Sequence, residues 1–308
     1  LFRLIPYLFS VWRVAGRVDV IHLMANSGWS WQLHCAPVLW LASFRNTPVI
    51  VNYRGGEAQT YFEHSFSRVR PSLSKASAIV VPSGYLKKVF ECFGESTQVI
   101  PNIIDRDLFR PLSRAESGPF TLVVTRNLEE IYGIDTAIRA FAIAATVDSS
   151  IRLRIAGSGP AENSLRALTR QLGIDDKVVF EGRLDRQGVV ALYAKADAVL
   201  NPALVDNMPN SVLEALACGL PVISTDVGGV PYIVRHRESA LLVPPADTHA
   251  MASAITELKN SAALYNRLRN NGLAEIEQYT WSNVGNEWLT LYASLRDMRT
   301  RQKEKVAT

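Results

Sequence analysis

Cysteine is scarce in this chain: there are three, Cys35, Cys92 and Cys218, and no two form a Cys-x-x-Cys pair. An odd, scattered set excludes a disulfide framework and a thiolate zinc site, and it suits a reducing compartment. The five histidines are likewise scattered, with none paired at metal-ligand spacing. No apolar run reaches the length that spans a bilayer. No lysine and arginine run is dense enough to call for a nucleic-acid partner. Internal repeats and low-complexity tracts are absent. The chain opens on Leu1, not Met, inside what reads as an amphipathic helix. Charges recur from Arg3 and no small-residue cleavage site follows, which is the pattern of a fragment or a processed chain rather than of a signal peptide.

What is present is a mildly basic sequence rich in core formers. Of 308 residues, 48% are hydrophobic and 20% charged, with a net charge of +4. That suffices for two domains with cores of their own. The charge suits an anionic substrate or a membrane surface, and equally an ordinary soluble surface. Short apolar runs alternate with helical patterns, which predicts an α/β chain with parallel sheets and crossover helices. In the first half the strands are expected at Val18–Leu23, Pro48–Tyr53, Ala78–Pro82 and Gln98–Pro101. In the second they are expected at Thr121–Thr125, Arg152–Ala156, Lys177–Glu181, Ala198–Asn201, Pro221–Thr225 and Ala240–Val243. The segment from Asn102 to Pro119, with Pro111, Ser113, Ser117 and Gly118, reads as an interdomain linker. Helices are expected at Thr248–Lys259, at Ala262–Tyr279, and from Trp281, behind a Thr280 cap, to about Arg301. The expected division is residues 1–112, 113–279 and a C-terminal helix over 280–308, with two similar doubly wound, Rossmann-like sheets.

The stretch from Val205 to Gly229 carries the most chemistry. An apolar strand runs into a polar loop, a helix is expected from Pro209 to Gly219, and Pro221 opens the next strand. Proline suits a first helical turn and glycine a helix end. At such a start the N–H groups of Asn210 to Val212 face the loop and can hold an anion. Asp206 and Glu214 flank the turn with seven residues between them. Two carboxylates around an anion-binding turn suit a ligand with phosphate in its middle and hydroxyls at both ends, which describes a nucleotide-sugar. Glu214 lies among Val212, Leu213, Leu216 and Ala217, where a buried carboxylate needs partners. Ribose hydroxyls would supply them, as they do for the acidic residue of dinucleotide sites. The plainer reading is a helix-start glutamate favoured by the dipole. Asp206 would accept from hydroxyls of the transferred sugar, or else make an Asx turn. Asn207, Met208, Pro209, Asn210 and Ser211 shape the phosphate turn, mainly through backbone.

These residues resemble the donor-site motif of retaining glycosyltransferases of family 4: an acidic residue, seven residues, a glutamate, then Ala-x-Ala-x-Gly-x-Pro-Val. The resemblance extends to Arg152–Gly159, Val179–Gly182, Gly228–Pro231 and Leu241–Pro245, and in the first half to Asp19–His22 and Pro101–Pro111. It therefore spans nearly the whole chain. It implies the GT-B fold with an incomplete first domain, and a final helix from Trp281 that crosses back onto that domain. It also implies metal-independent transfer of a sugar from a nucleotide-sugar, a substrate rather than a cofactor, to a glycan or lipid-linked acceptor. The cysteine usage fits a cytoplasmic protein, and the make-up of the first helix allows peripheral contact at the inner face of the membrane. Catalytic roles are carried to Asp206, Glu214 and, near the acceptor, His22. Donor-binding roles fall on Gly157, Gly159, Arg126, Asn127 and Arg183 besides the turn residues.

The chain departs from the family pattern in places. The usual Gly-Arg-Leu, three residues, Lys-Gly, aligned on Gly133, meets Arg126-Asn127-Leu128 and Tyr132. Asparagine and tyrosine thus stand where two phosphate-binding cations are expected, and Arg126, shifted by one place, offers one charge. Arg54-Gly55-Gly56-Glu57 stands where many members have His-Gly, and Tyr232 stands where glutamate usually follows Gly228-Gly229-Val230-Pro231. Asp105-Arg106-Asp107 mimics a metal-binding Asp-x-Asp but lies in the linker pattern. The competing readings are a nucleotide-sugar epimerase of the same fold, a non-catalytic nucleotide-binding remnant, and a dehydrogenase. The last has an incomplete glycine fingerprint, because Glu162 takes the third glycine's place. Leu1, Leu4, Ile5, Leu8, Phe9, Val11 and Trp12, with Arg3, Arg13 and Arg17 nearby, fit either a core helix or an interfacial membrane contact.

Overall fold

The structure is a computed structural model that describes residues 4–111 and 118–307. Ser113 and Ser117 of the expected linker, and Leu1 and Arg3 of the first helix, lie outside the described residues. The chain divides into two compact units, 1–101 with 284–308, and 102–283. The boundary therefore falls before Asn102, not after residue 112. The segment from Asn102 belongs to the second unit because it is bonded there: Ile104 N–H donates to the Tyr279 carbonyl at 2.9 Å, and Ile104 and Phe109 are buried in that unit's core.

The first unit holds a wholly parallel four-stranded sheet in sequence order: β1 (Ile21–Ala25), β2 (Val49–Tyr53), β3 (Ala78–Val81) and β4 (Gln98–Val99). Helices α1 (Leu4–Ala15), α2 (Ala36–Phe44), α3 (Ala58–Leu73) and α4 (Gly84–Cys92) alternate with the strands. A short π-helical stretch, Trp31–Cys35, leads into α2. Alternation along β2 explains how both faces are filled. Val49, Val51 and Tyr53 join Leu39, Phe62 and Phe90 on one side. Ile50 on the other side joins Val80 and Ile100, under Val284, Trp288 and Leu295 of the final helix, α11 (Trp281–Ala307). Strand β1 begins at Ile21, three residues after the expected Val18, because its pairing starts opposite Val49. Thr280 does not direct its hydroxyl into the start of α11: Oγ1 donates to the Glu277 carbonyl at 2.9 Å and contacts Ser282 Oγ at 2.9 Å.

The second unit is built on six parallel strands. These are β5 (Thr121–Thr125), β6 (Arg152–Ala156), β7 (Val178–Gly182), β8 (Ala198–Asn201), β9 (Val222–Thr225) and β10 (Leu241–Val243). The helices are α5 (Ile134–Val147), α6 (Glu162–Gln171), α7 (Arg186–Tyr193), α8 (Asn210–Ala217), α9 (Thr248–Asn260) and α10 (Ala262–Glu275). The helix expected to continue to Tyr279 passes into a 3-10 turn at Ile276–Tyr279. Leu122 and Val124 of β5 face a core with Ile138, Phe141 and Ile255, whereas Val123 faces Val199, Val212 and Leu216. Burial on both faces explains why these strands read as continuous apolar runs. The spatial order is β10-β9-β8-β5-β6-β7. After β7 the chain returns to the other side of β5, so the order reverses between β5 and β8. In open parallel sheets, ligands bind beyond the carboxyl ends of the strands at such a reversal.

Candidate functional site

A cavity of about 350 Å³ opens at that reversal. It is lined by Thr125, Arg126 and Asn127 from the end of β5, by Tyr132, and by Asp206, Met208, Pro209, Asn210, Ser211 and Glu214 around the start of α8. Two stretches far apart in sequence meet there because β5 and β8 are neighbours. Pro209 is the N-cap of α8 rather than its first helical residue, and no side chain caps this end. Val212 N–H is taken by the Pro209 carbonyl at 3.1 Å. Asn210 and Ser211, without Val212, therefore supply the donors expected of the helix start.

The turn is fixed from behind. The Asn102 amide Nδ2 donates to the Met208 carbonyl at 3.0 Å and to Asn210 Oδ1 at 2.9 Å. Gly229 N–H donates to the Asp206 carbonyl at 2.9 Å, which gives the Gly228-Gly229 loop a role in holding this turn. Below the cavity, the wholly buried Tyr193 exchanges a hydrogen bond with Thr125 Oγ1 at 2.7 Å and donates to the Ser211 carbonyl at 3.4 Å. Burial raises this phenol well above its ordinary value, so it stays a neutral donor.

Charge is concentrated in three groups. Arg126 Nη2 donates to Asp206 Oδ2 at 2.6 Å, and Nη1 reaches Ser211 Oγ at 3.5 Å. The guanidinium lies over the Tyr132 ring, 4.1 Å from its centroid, in a cation–π contact. Tyr132, which displaces an expected cation, thus positions the one that is present. Burial raises Asp206 from its ordinary value, opposed by Arg126 and by hydrogen bonds from the Asn207 and Met208 backbone. Burial pushes Glu214 up to about 7, against the pull of Arg186 and Arg126. Arg186 opens α7 beside Phe109 and pairs with Asp105 at 3.2 Å.

Other predicted residues have different surroundings. A Cβ on Gly157 would stand 1.8 Å from the Arg126 carbonyl oxygen, and one on Gly159 would stand 2.3 Å from that of Leu128. Backbone packing of these two loops therefore accounts for both glycines, and neither lines the cavity. Asn127 lines it and donates to Glu129 at 3.2 Å. Asn207 is buried in the turn beside the cavity lining, and Arg183 is solvent-exposed. His22 belongs to the first unit. Its Nε2 is 3.0 Å from Asn52 Nδ2, its Nδ1 is 2.7 Å from the Tyr292 hydroxyl, and its ring stacks on Trp288. Burial, aided by Arg54, lowers its pKa. A neutral ring donating from Nδ1 and accepting at Nε2 satisfies both contacts. A Cβ on Gly55 would collide with Ser27, Asn26 and Tyr53, so the Arg54–Gly55 loop packs tightly on the end of β1. Asp105 accepts from Leu108 N–H besides pairing with Arg186. Among the described residues no group of three or more His, Cys, Asp or Glu has metal-site geometry. A larger concavity of about 710 Å³ near Arg139 and Pro244 lacks such convergence; its Asp247 carboxylate caps α9 at 2.8 Å.

Sequence reasoning missed Thr125, Tyr193, Arg186 and Asn102. Only Asn102 left a trace, in the Pro-Asn start of the linker pattern.

The family model described as Glycosyl transferases group 1 matches residues 105–274, more than half of the chain. An exopolysaccharide phosphotransferase of Streptomyces coelicolor is 34% identical over 211 residues, covering 67% of this chain and 22% of that protein. A D-inositol 3-phosphate glycosyltransferase of Acidothermus cellulolyticus is 30% identical over 230 residues, covering 68% of this chain and 51% of that protein. The chain thus spans from about a fifth to about half of these relatives' lengths. Among solved structures, Anabaena HepE in complex with UDP superposes with a TM-score of 0.80 at 18% identity, over 94% of this chain and 82% of that one. That likeness establishes the GT-B fold.

Proposed function

Because the chain belongs to the glycosyl transferases group 1 family, we propose that its cavity at the β5/β8 reversal holds a nucleotide-sugar. The sugar is transferred, with retention of configuration, to a hydroxyl of a glycan or lipid-linked acceptor. The observation that carries this reading is the convergence of a guanidinium, two partly buried carboxylates and an uncapped helix start on a single cavity. Complexes of HepE with UDP, and with UDP and glucose, support the ligand class.

Each group has a task. Glu214 accepts from ribose hydroxyls, which desolvate it no further than burial already has. Asn210 and Ser211 N–H groups and Arg126 meet the diphosphate. They stabilise the charge that develops as the bond to the sugar breaks, usually a large share of the barrier reduction. Asp206 accepts from the sugar's hydroxyls and, as an anion, favours the oxocarbenium-like transition state of glycosyl transfer. These groups act without a metal, and the nucleotide-sugar is a substrate, so no cofactor enters. His22 is assigned to the acceptor side on sequence resemblance; with both ring nitrogens bonded it is given no proton-transfer step.

Calorimetric titration with UDP, GDP and ADP tests the reading. Glu214→Ala should weaken binding at least about tenfold, the effect of losing hydrogen bonds to a charged group. Glu287→Ala, at an exposed position on α11, should not. Equal affinities for the two variants would sink the assignment.

A further inference from the structure

Among the described residues Arg126 is the one cationic side chain lining the cavity, and it is already engaged. Its partner Asp206 is only 2.6 Å away, and the two side chains are 12% and 11% exposed. The Asp206 carboxylate also takes hydrogen bonds from the Asn207 and Met208 backbone. A carboxylate built into the chain therefore occupies the guanidinium that an anionic ligand would use. A diphosphate entering this arrangement would meet two carboxylates and a guanidinium already paired with one of them.

We propose that Asp206 is an internal anion that competes with the ligand for Arg126. Entry of a nucleoside diphosphate moves the guanidinium from Asp206 to the phosphate oxygens and frees the carboxylate for the sugar's hydroxyls. The exchange rests on the nucleotide-sugar reading above. Two observations make it local. The face of Tyr132 supports the guanidinium with no acceptor of its own, so it holds Arg126 whichever anion is paired. The contact to Ser211 Oγ, at 3.5 Å, is long and easily surrendered. Asp206 keeps its backbone donors when the guanidinium leaves.

The exchange predicts a result that a plain ligand-binding role for Asp206 does not: removing its charge tightens nucleotide binding. Calorimetric titrations with UDP, GDP and ADP, free of sugar, are made on the wild type, Asp206→Asn, Arg126→Gln and the double variant, with thermal melts to verify folding. Asp206→Ala serves as a second neutral variant should the asparagine form not fold. Asp206→Asn should lower the Kd of the preferred nucleotide about fivefold, the scale of one released ion pair. Arg126→Gln should raise it about tenfold or more. In the Arg126→Gln background the Asp206 substitution should change nothing. A wild type that binds a nucleotide, with neutral Asp206 variants that bind it no tighter, would overturn the exchange while leaving the nucleotide-sugar reading in place. A wild type that binds none of the three would overturn both.

Discussion

At the scale of single residues the site is a problem of burying charge. Glu214 is held near 7 by burial, well above the ordinary carboxylate value, although Arg186 and Arg126 oppose the shift. Between about pH 4.5 and 7 the folded chain therefore keeps a proton that the unfolded chain has released. Its contribution to stability is full below the lower value and declines as pH rises through the window, by up to about 3 kcal/mol. Glu214→Gln keeps the shape and removes the titration. Its melting temperature should exceed the wild type's at pH 8, and the gap should close on going down to pH 5. A constant gap across that range would show that the carboxylate is not the strained group. The Asp206–Glu214 spacing was legible in the sequence, since both fall in one loop-to-helix segment. The Arg126–Asp206 pair was not. Its members lie 80 residues apart, and only the adjacency of β5 and β8 joins them.

At the scale of elements, loop-on-loop contact decides what each motif does. The turn after β6 lies against the turn after β5: Leu128 N–H donates to the Ser158 carbonyl at 3.1 Å, and Ala161 N–H to the Leu128 carbonyl at 2.9 Å. Gly157 has φ +147°, and a Cβ there would run into the Arg126 carbonyl. Gly157→Ala should therefore cost at least about 3 kcal/mol, through backbone strain and displacement of the loop that carries Arg126. Chemical denaturation measures this, and a loss under 1 kcal/mol, the scale of an ordinary surface change, would contradict the packing. From sequence alone the Gly-Ser-Gly turn looked like part of a ligand cradle, because glycine serves a close ligand and a close backbone equally well. Helix α8 was foreseen to within a residue at its start. Pro209 marks it clearly, but whether proline caps the helix or opens it depends on its ψ of 118°, which no sequence rule specifies.

At the scale of the whole molecule, the first unit leaves an aromatic and basic surface uncovered among the described residues. Ile5, Phe9 and Trp12 of α1 are exposed, as are Trp40 and Phe44 of α2. Arg45 lies over Trp12 and Lys75 over Trp40, with Arg13 and Arg17 also exposed. Only Ala15 of α1 is buried, while Leu4, Tyr7, Leu8 and Val11 are partly buried. No described helix is long and apolar enough to cross a membrane. Co-sedimentation with phosphatidylglycerol vesicles at low salt is expected, with release at high salt and weakening by Phe9→Glu. Failure to bind at low salt would remove the membrane from the proposal. By itself the sequence determined the alternation of strands and helices, the parallel sheets and the segment that carries the acidic pair. Those depend on local periodicity, turn chemistry and short spacings. The tertiary structure alone decided that the second sheet reverses between β5 and β8, that the turn after β6 packs on the turn after β5, and that Arg126 in the cavity is already paired with a carboxylate. Each of these is a contact between residues distant along the chain. Pattern within a segment carries no information about which other segment will lie beside it.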